Sequence, residues 1–369
     1  MLWSAVMKIS FIGQIHIFGE DAISRRLRAL SSELTQRRHT VRLYSATERS
    51  IRQWQGANVL YRPSFNPTQP GGWLYAAISA ISSAFWKADV IHLMGWKVAA
   101  FAPVIALLSS ESTLIWTISN VSRKTFVTRL IMWQAVRLCD AITVPDRSVQ
   151  WQLRREYGVL GTYVPDGYSA PALEDIPAKT WKLRKGQYTV VLADSTAKLR
   201  AIVKSYTQVK SKKKLVFITD KKTAAMTRLE RSSRLLKVVE VQSNRERSSL
   251  VRQAASVIIA DERAAELMLL ACDSEVPVVA ENLPRLQEIA GTTVSFFRLK
   301  DVEHLEDLLR EVVKQPYMID IQPAQKRARK HFGWARIFEE YETLYHYPVV
   351  RRVSVDSIQP KSFTQPVVQ

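Results

Sequence analysis

Cations dominate the chemistry that this sequence offers. Fifty-three Lys and Arg stand against 34 Asp and Glu, a formal net charge of +19. A surplus of that size favours an anionic partner: nucleic acid, a membrane surface or a phosphorylated substrate. The basic residues come in short groups, Arg25, Arg26 and Arg28 in one place and Lys212 to Lys214 with Lys221 and Lys222 in another. Taken singly, each group reads first as solvated surface. Gly13 and Gly19 follow the first apolar run, where the chain must turn. Their spacing is not GxGxxG, so a dinucleotide site is not expected, and a plain turn is the alternative. His92, within DVIHLMGW, is a candidate either for chemistry or for packing. Cys139 and Cys272 cannot form a disulfide framework, and no CxxC or Cys/His spacing suggests zinc. Their apolar surroundings predict small buried side chains in a reducing cytosol.

These residues must be positioned by an alternation of short apolar runs and longer helical stretches, the pattern of parallel α/β sheets. At 369 residues the chain exceeds a single core. Strands are predicted at 8–13, 40–44, 58–61, 89–94, 113–118, 141–144 and 162–164, with helices at 21–37, 73–87, 98–108, 123–138 and 148–157. The Pro- and Lys-bearing stretch at 169–187 lacks periodicity and reads as a linker. The alternation then resumes with strands near 188–193, 214–219, 236–241, 257–260, 276–280 and 294–297. Helices at 301–314 and 323–345 follow. The apolar runs at 73–86 and 98–110 fall short of the ~18 residues of a membrane span. MLWSAV has no basic n-region, so no signal peptide is expected, and Met1 and Met7 are both readable as the start.

The order of motifs resembles that of the retaining glycosyltransferases of family 4. Residues 8–46 are similar to that family's first strand, glycine-containing loop, first helix and second strand. DVIHLMGW resembles its DVVHVH strand, CDAITVPDRSV its ADxVIAVSEAL segment, and YVPDGYSAP its VIPNGVD junction. SNRERSSLVRQAASVIIAD is similar to the segment before its donor-sugar motif, and FGWARIFEEYETLY to its closing helix. The resemblance implies an α/β protein of two Rossmann-like domains in the GT-B arrangement, with a C-terminal helix crossing back to the first domain. The expected bounds are 1–170 for the acceptor-side domain, 171–187 for the linker and 188–322 for the nucleotide-sugar-side domain. A closing helix at 323–348 and a flexible tail at 349–369 complete the chain.

The resemblance also assigns roles. Glu262 falls on the first glutamate of the family's E-x7-E pair, and Leu270 stands at the second, which would take the donor ribose; Glu266, one helical turn earlier, is the nearest substitute. Lys198 takes the lysine role on the leaving diphosphate, while Asp194 stands where an arginine is expected. Ser119 replaces the donor-facing histidine, Gly19 is what remains of the phosphate-side glycines, and Lys221 and Lys222 occupy the turn toward base or phosphate. No metal ligand and no cofactor is expected, since no D-x-D occurs and GT-B chemistry uses the nucleotide sugar itself as substrate.

Two readings of function follow from the resemblance. One is a metal-independent, retaining hexosyl transfer from a UDP- or GDP-sugar to an envelope or exopolysaccharide acceptor, saccharide or lipid-linked. The other is a catalytically inactive GT-B scaffold, or a protein that binds a nucleotide sugar or a partner without turnover, favoured by Ser119, Asp194 and Leu270. Expected localisation is cytoplasmic, with peripheral contact to anionic membrane through the basic face of helix 21–37 and the tryptophans before the linker. Nucleic acid is not an expected partner, because aromatic residues are not interleaved with the basic groups.

Overall fold

The apolar runs VIHLM and SVIIA are buried at every position, as strands are when both faces of a parallel sheet are covered. The computed structural model describes residues 6–13, 17, 19, 21–47, 49–63, 72–119, 121, 125–168, 174–314, 319–349 and 351–352. It contains two large sheets, and the chain divides into Met1–Pro165 with Phe338–Gln369 and Asp166–Ile337.

The first unit begins with β1 (Lys8–Ile12), α1 (Ala22–Gln36), β2 (Thr40–Ser45), β3 (Gln53–Trp54) and β4 (Ala57–Tyr61). It continues through α2 (Trp73–Phe85), β5 (Val90–Met94), α3 (Trp96–Ala99), α4 (Ala102–Leu108), β6 (Thr113–Thr117), α5 (Phe126–Leu138) and β7 (Ala141–Val144). Then come α6 (Arg147–Tyr157), β8 (Val159–Leu160) and β9 (Thr162–Tyr163). The sheet order is β3-β4-β2-β1-β5-β6-β7-β9, parallel apart from the β3–β4 hairpin. The order reverses at β1, so the carboxyl ends of β1 and β5 diverge into opposite connections. Gly13 lies there with φ +121, and a Cβ on it would stand 1.9 Å from the Met94 carbonyl oxygen. That glycine is required by strand packing. One helix was expected over 98–108; two form instead, because Pro103 sits in the first turn of α4 and has no N–H to continue α3.

The second unit carries β10 (Tyr188–Ala193), α7 (Thr196–Gln208), β11 (Lys214–Thr219), α8 (Ala224–Ser232), β12 (Leu236–Glu240), α9 (Asn244–Arg252) and β13 (Ser256–Ala260). It continues with α10 (Ala265–Asp273), β14 (Val278–Glu281), α11 (Pro284–Ala290), β15 (Ser295–Phe297), α12 (Val302–Lys314) and α13 (Gln322–Phe332). Its sheet is wholly parallel, in the order β12-β11-β10-β13-β14-β15, with an apolar core on each face. The last helix, α14 (Trp334–His346), starts in the second unit and from Phe338 onward belongs to the first.

Three boundaries differ from expectation for local reasons. The described part of the expected linker, from Glu174, is fastened to the second unit: Gln253 accepts from the Ala178 amide at 3.0 Å and donates to the Ile176 carbonyl at 2.8 Å, and Arg252 pairs with Asp175. The expected closing helix is two helices. Gly333 breaks it with extended ψ of 140°, and a Cβ there would meet the Arg329 carbonyl at 2.8 Å. Only the second of the pair returns to the first unit. In the expected tail, β16 (Arg351–Arg352) pairs antiparallel with β8; the remainder from 353 lies outside the described residues.

Helix α1 does not offer the free basic face expected of it. Arg26 is 2% exposed, and the Arg28 guanidinium donates to the Ile17 and Gly19 carbonyls at 2.7 and 2.8 Å.

Candidate functional site

The carboxyl edge of the second sheet gathers the chemistry. Parallel strands bring their carboxyl ends to one edge, where ligands of open α/β sheets bind. Lys198 arrives there because β10 ends at Ala193 and Ser195 caps α7, its side chain accepting from the Lys198 amide at 3.3 Å. The Lys198 ammonium donates to Glu281 at 2.8 Å, to Asp194 at 3.0 Å and to the Ala260 carbonyl at 3.0 Å. An ammonium has three N–H donors, and all three are taken. Burial would lower its pKa, but the bonds and charges of Glu281 and Asp194 outweigh this and leave it raised.

Lys198 sits in a row of carboxylates. Neighbouring strands β12, β11, β10, β13 and β14 each end in an acid or are followed at once by one: Glu240, Asp220, Asp194, Asp261 and Glu281. Each is answered locally. Glu240 accepts from the Lys222 amide at 3.2 Å, Asp220 pairs with Arg247, and Arg263 chelates Asp261 with two bonds of 3.0 Å. The side-chain bonds to Asp261 raise the Arg263 pKa, with Asp194 and Asp220 adding to the effect from a distance.

The expected site residues divide between the units. In the second, Glu262 follows β13 in a 3-10 turn and accepts from the Arg285 amide at 3.4 Å at the start of α11, while the Arg285 guanidinium reaches Asp166 at 3.4 Å. Asp166 precedes Gly167, on which a Cβ would stand 2.7 Å from the Trp334 indole. Glu266 lies in the first turn of α10, partly exposed, and Leu270 is 3% exposed inside the same helix, so that position faces the interior. Lys221 is exposed at the end of β11; Lys222 has its ammonium on Glu230, whose carboxylate also accepts from the Val238 amide at 2.8 Å. In the first unit Ser119 is exposed just past β6, and the Gly19 carbonyl is held by Arg28. Phe18, Glu20 and Asn120, beside them, lie outside the described residues.

His92 is a packing residue. It is wholly buried, with Nδ1 3.0 Å from the Tyr345 hydroxyl and Nε2 2.7 Å from Thr117 Oγ1, which in turn lies 2.7 Å from Thr143 Oγ1. Burial, with Arg26 adding, pushes its pKa down to about 3. Both cysteines are buried thiols, that of Cys272 pushed up to about 12 by burial. Among the described residues no group of His, Cys, Asp and Glu could hold a metal ion, and no helix is long and apolar enough to cross a membrane.

Sequence reasoning missed Glu281, Asp261, Arg263 and Arg285. The available signal was an acid at the end of five of the six strand-like runs of the second half.

Residues 23–168 match the sequence profile of Glycosyltransferase Family 4. No curated protein matches the chain. Among solved structures, HepE of Anabaena, crystallised with UDP and glucose, superposes with a TM-score of 0.68 at 13% identity, covering 92% of this chain and 100% of that one. A glycosyltransferase from Rickettsia africae gives 0.69 at 11% identity, covering 93% and 98%. An α,α-trehalose 6-phosphate synthase from Burkholderia multivorans gives 0.61 at 11% identity, covering 93% and 98%. The likeness at these identities is one of fold: the chain has the two Rossmann-like domains seen in GT-B glycosyltransferases, and only residues 23–168 match the family 4 profile.

Proposed function

We propose that this protein engages a nucleotide sugar, with a UDP- or GDP-linked hexose as donor, at the carboxyl edge of its second sheet, and transfers the hexose by a metal-independent retaining reaction. The acceptor we propose is an envelope or exopolysaccharide glycan, lipid-linked or free. The observation that carries this reading is the placement of Lys198: its ammonium is anchored where β10, β13 and β14 end, beside the Glu262 turn. There it would meet the leaving diphosphate, and a preorganised cation stabilises negative charge that develops as the sugar departs. Glu262 would accept from donor-sugar hydroxyls. Because Lys198 has no donor to spare, the diphosphate must displace Asp194 or Glu281 to bind. Asp194 is the more exposed of the two, 35% against 14%, and is the one we expect to yield.

One observation favours a second reading, a GT-B scaffold without turnover. The row from Glu240 to Glu281 presents carboxylates where a diphosphate would arrive, and like charges repel. The experiment that separates the two is hydrolysis or transfer of UDP-glucose, GDP-mannose and related donors by the full chain, against its Lys198→Ala variant. Turnover that depends on Lys198 supports the first reading. No turnover with any donor, whether or not the nucleotide binds, supports the scaffold.

A further inference from the structure

Helices α2, α4 and α5 of the first unit lie side by side and bury Ala76, Ala80, Ile105, Met132 and Ala135 inward. Their outward side is apolar too, where a surface helix is ordinarily polar. On α5 Phe126 is 79% exposed, Leu130 51% and Trp133 47%, at spacings of three to four residues that place them on one face. Beside them α4 presents Leu107 at 84% and α2 presents Phe85 at 75%. None of the three helices contains an Asp or Glu; the charges on α5 are Arg129 and Arg137, and the Arg137 guanidinium lies 3.7 Å over the Trp133 ring. Of the acids just outside these helices, Asp89 and Asp140 are turned to the Lys8 and Leu114 amides, while Glu111, after α4, is exposed.

Contiguous apolar exposure of this kind marks an interaction surface. We infer that this face docks on an anionic lipid bilayer, lying on it without crossing it. Phe and Leu would enter the boundary of the acyl chains, Trp133 would sit at headgroup level, and the arginines would meet lipid phosphates. A second copy of the chain fits worse. A two-fold contact through this face would oppose the α5 arginines to one another with no carboxylate on the three helices to pair them. The inference does not depend on whether Lys198 meets a diphosphate.

The test is co-sedimentation of the full chain with phosphatidylcholine vesicles, with and without phosphatidylglycerol. Wild type should bind the anionic vesicles, and salt should weaken that binding without abolishing it. Leu130→Ser with Trp133→Ser should lower partitioning at least about tenfold, since each removes a large apolar side chain from the boundary. Phe85→Ser with Leu107→Ser, on the other two helices, should act alike, so misfolding of one variant does not decide the matter. Arg25→Ala on α1 should change nothing. The inference is overturned if wild type ignores anionic vesicles, or if both serine pairs bind them as wild type does. It is equally overturned if wild type is a dimer that both pairs convert to monomer without any lipid binding.

Discussion

His92, on a strand of the first sheet, and Lys198, in the first turn of the helix that follows β10 of the second, have opposite characters. His92 lies within β5, sealed by Tyr345 of α14 and bonded to Thr117, and it is uncharged. Lys198 stands past the end of β10, about one-fifth exposed, charged, and bonded to two carboxylates and a carbonyl. Both are fully satisfied in their hydrogen bonds, so satisfaction alone does not separate a packing group from a candidate ligand group. Position does. A polar residue within a strand is covered by the next layer, whereas one just beyond a strand's carboxyl end faces the opening that connections leave. The first must be neutral because nothing buried there offsets a charge. The second can stay charged because its partners are charged and water is near.

That contrast can be broken in several ways, and the largest expected effect is on turnover. If a donor is transferred, Lys198→Ala should lower the rate by about 10²–10³ with folding unchanged, as loss of one preorganised stabilising group does. Equal activity in the variant would remove Lys198 from the site. Next, His92→Ala should cost roughly 2–4 kcal/mol in urea unfolding of the first unit, by opening a cavity and stranding Tyr345 and Thr117. Nucleotide binding should not change. A loss of binding with little loss of stability would mean that His92 had been assigned to the wrong class.

The pH dependence sharpens the same point. The folded His92 has its pKa pushed down to about 3 by burial, against 6.5 when unfolded. Between these values the unfolded chain binds the extra proton, so this residue's contribution makes stability fall as pH drops from 6.5 toward 3. The slope is up to roughly 1.4 kcal/mol per pH unit. Urea midpoints across that range should show it in wild type, and His92→Gln should flatten it. The smallest effect is expected from Tyr345→Phe, which deletes one hydroxyl from the network and should cost about 1 kcal/mol by the same measurement.

Much of this fold was legible in the residues. Runs such as VIHLM and SVIIA announce strands covered on both faces, and their alternation with helices leads to two parallel sheets. The helix breaks were legible in principle but outweighed by periodicity: Pro103 divides the stretch over 96–108, and Gly333 divides that over 322–346. The burial of Arg26 was hidden because a basic cluster looks the same whether one of its members faces in or out. The candidate site was legible only in part, for a topological reason. Lys198 and Glu281 are 83 residues apart and meet because β13 is inserted between β10 and β14 in the sheet. Strand order of that kind is not written in local pattern, so an acid at one strand end and a lysine after another appear unrelated along the chain.

The central claim is that the Lys198 ammonium is the diphosphate contact and that Asp194 holds it back. Calorimetric titration of UDP into wild type and Asp194→Asn tests it most directly. The substitution keeps the shape of the side chain, removes one negative charge and loosens one of the three bonds on the ammonium. The account predicts measurable binding to wild type and binding about tenfold tighter to Asp194→Asn, a gain of roughly 1.4 kcal/mol. That gain should vanish when Lys198→Ala is added. No binding to either protein, or a gain that survives the loss of Lys198, would contradict it.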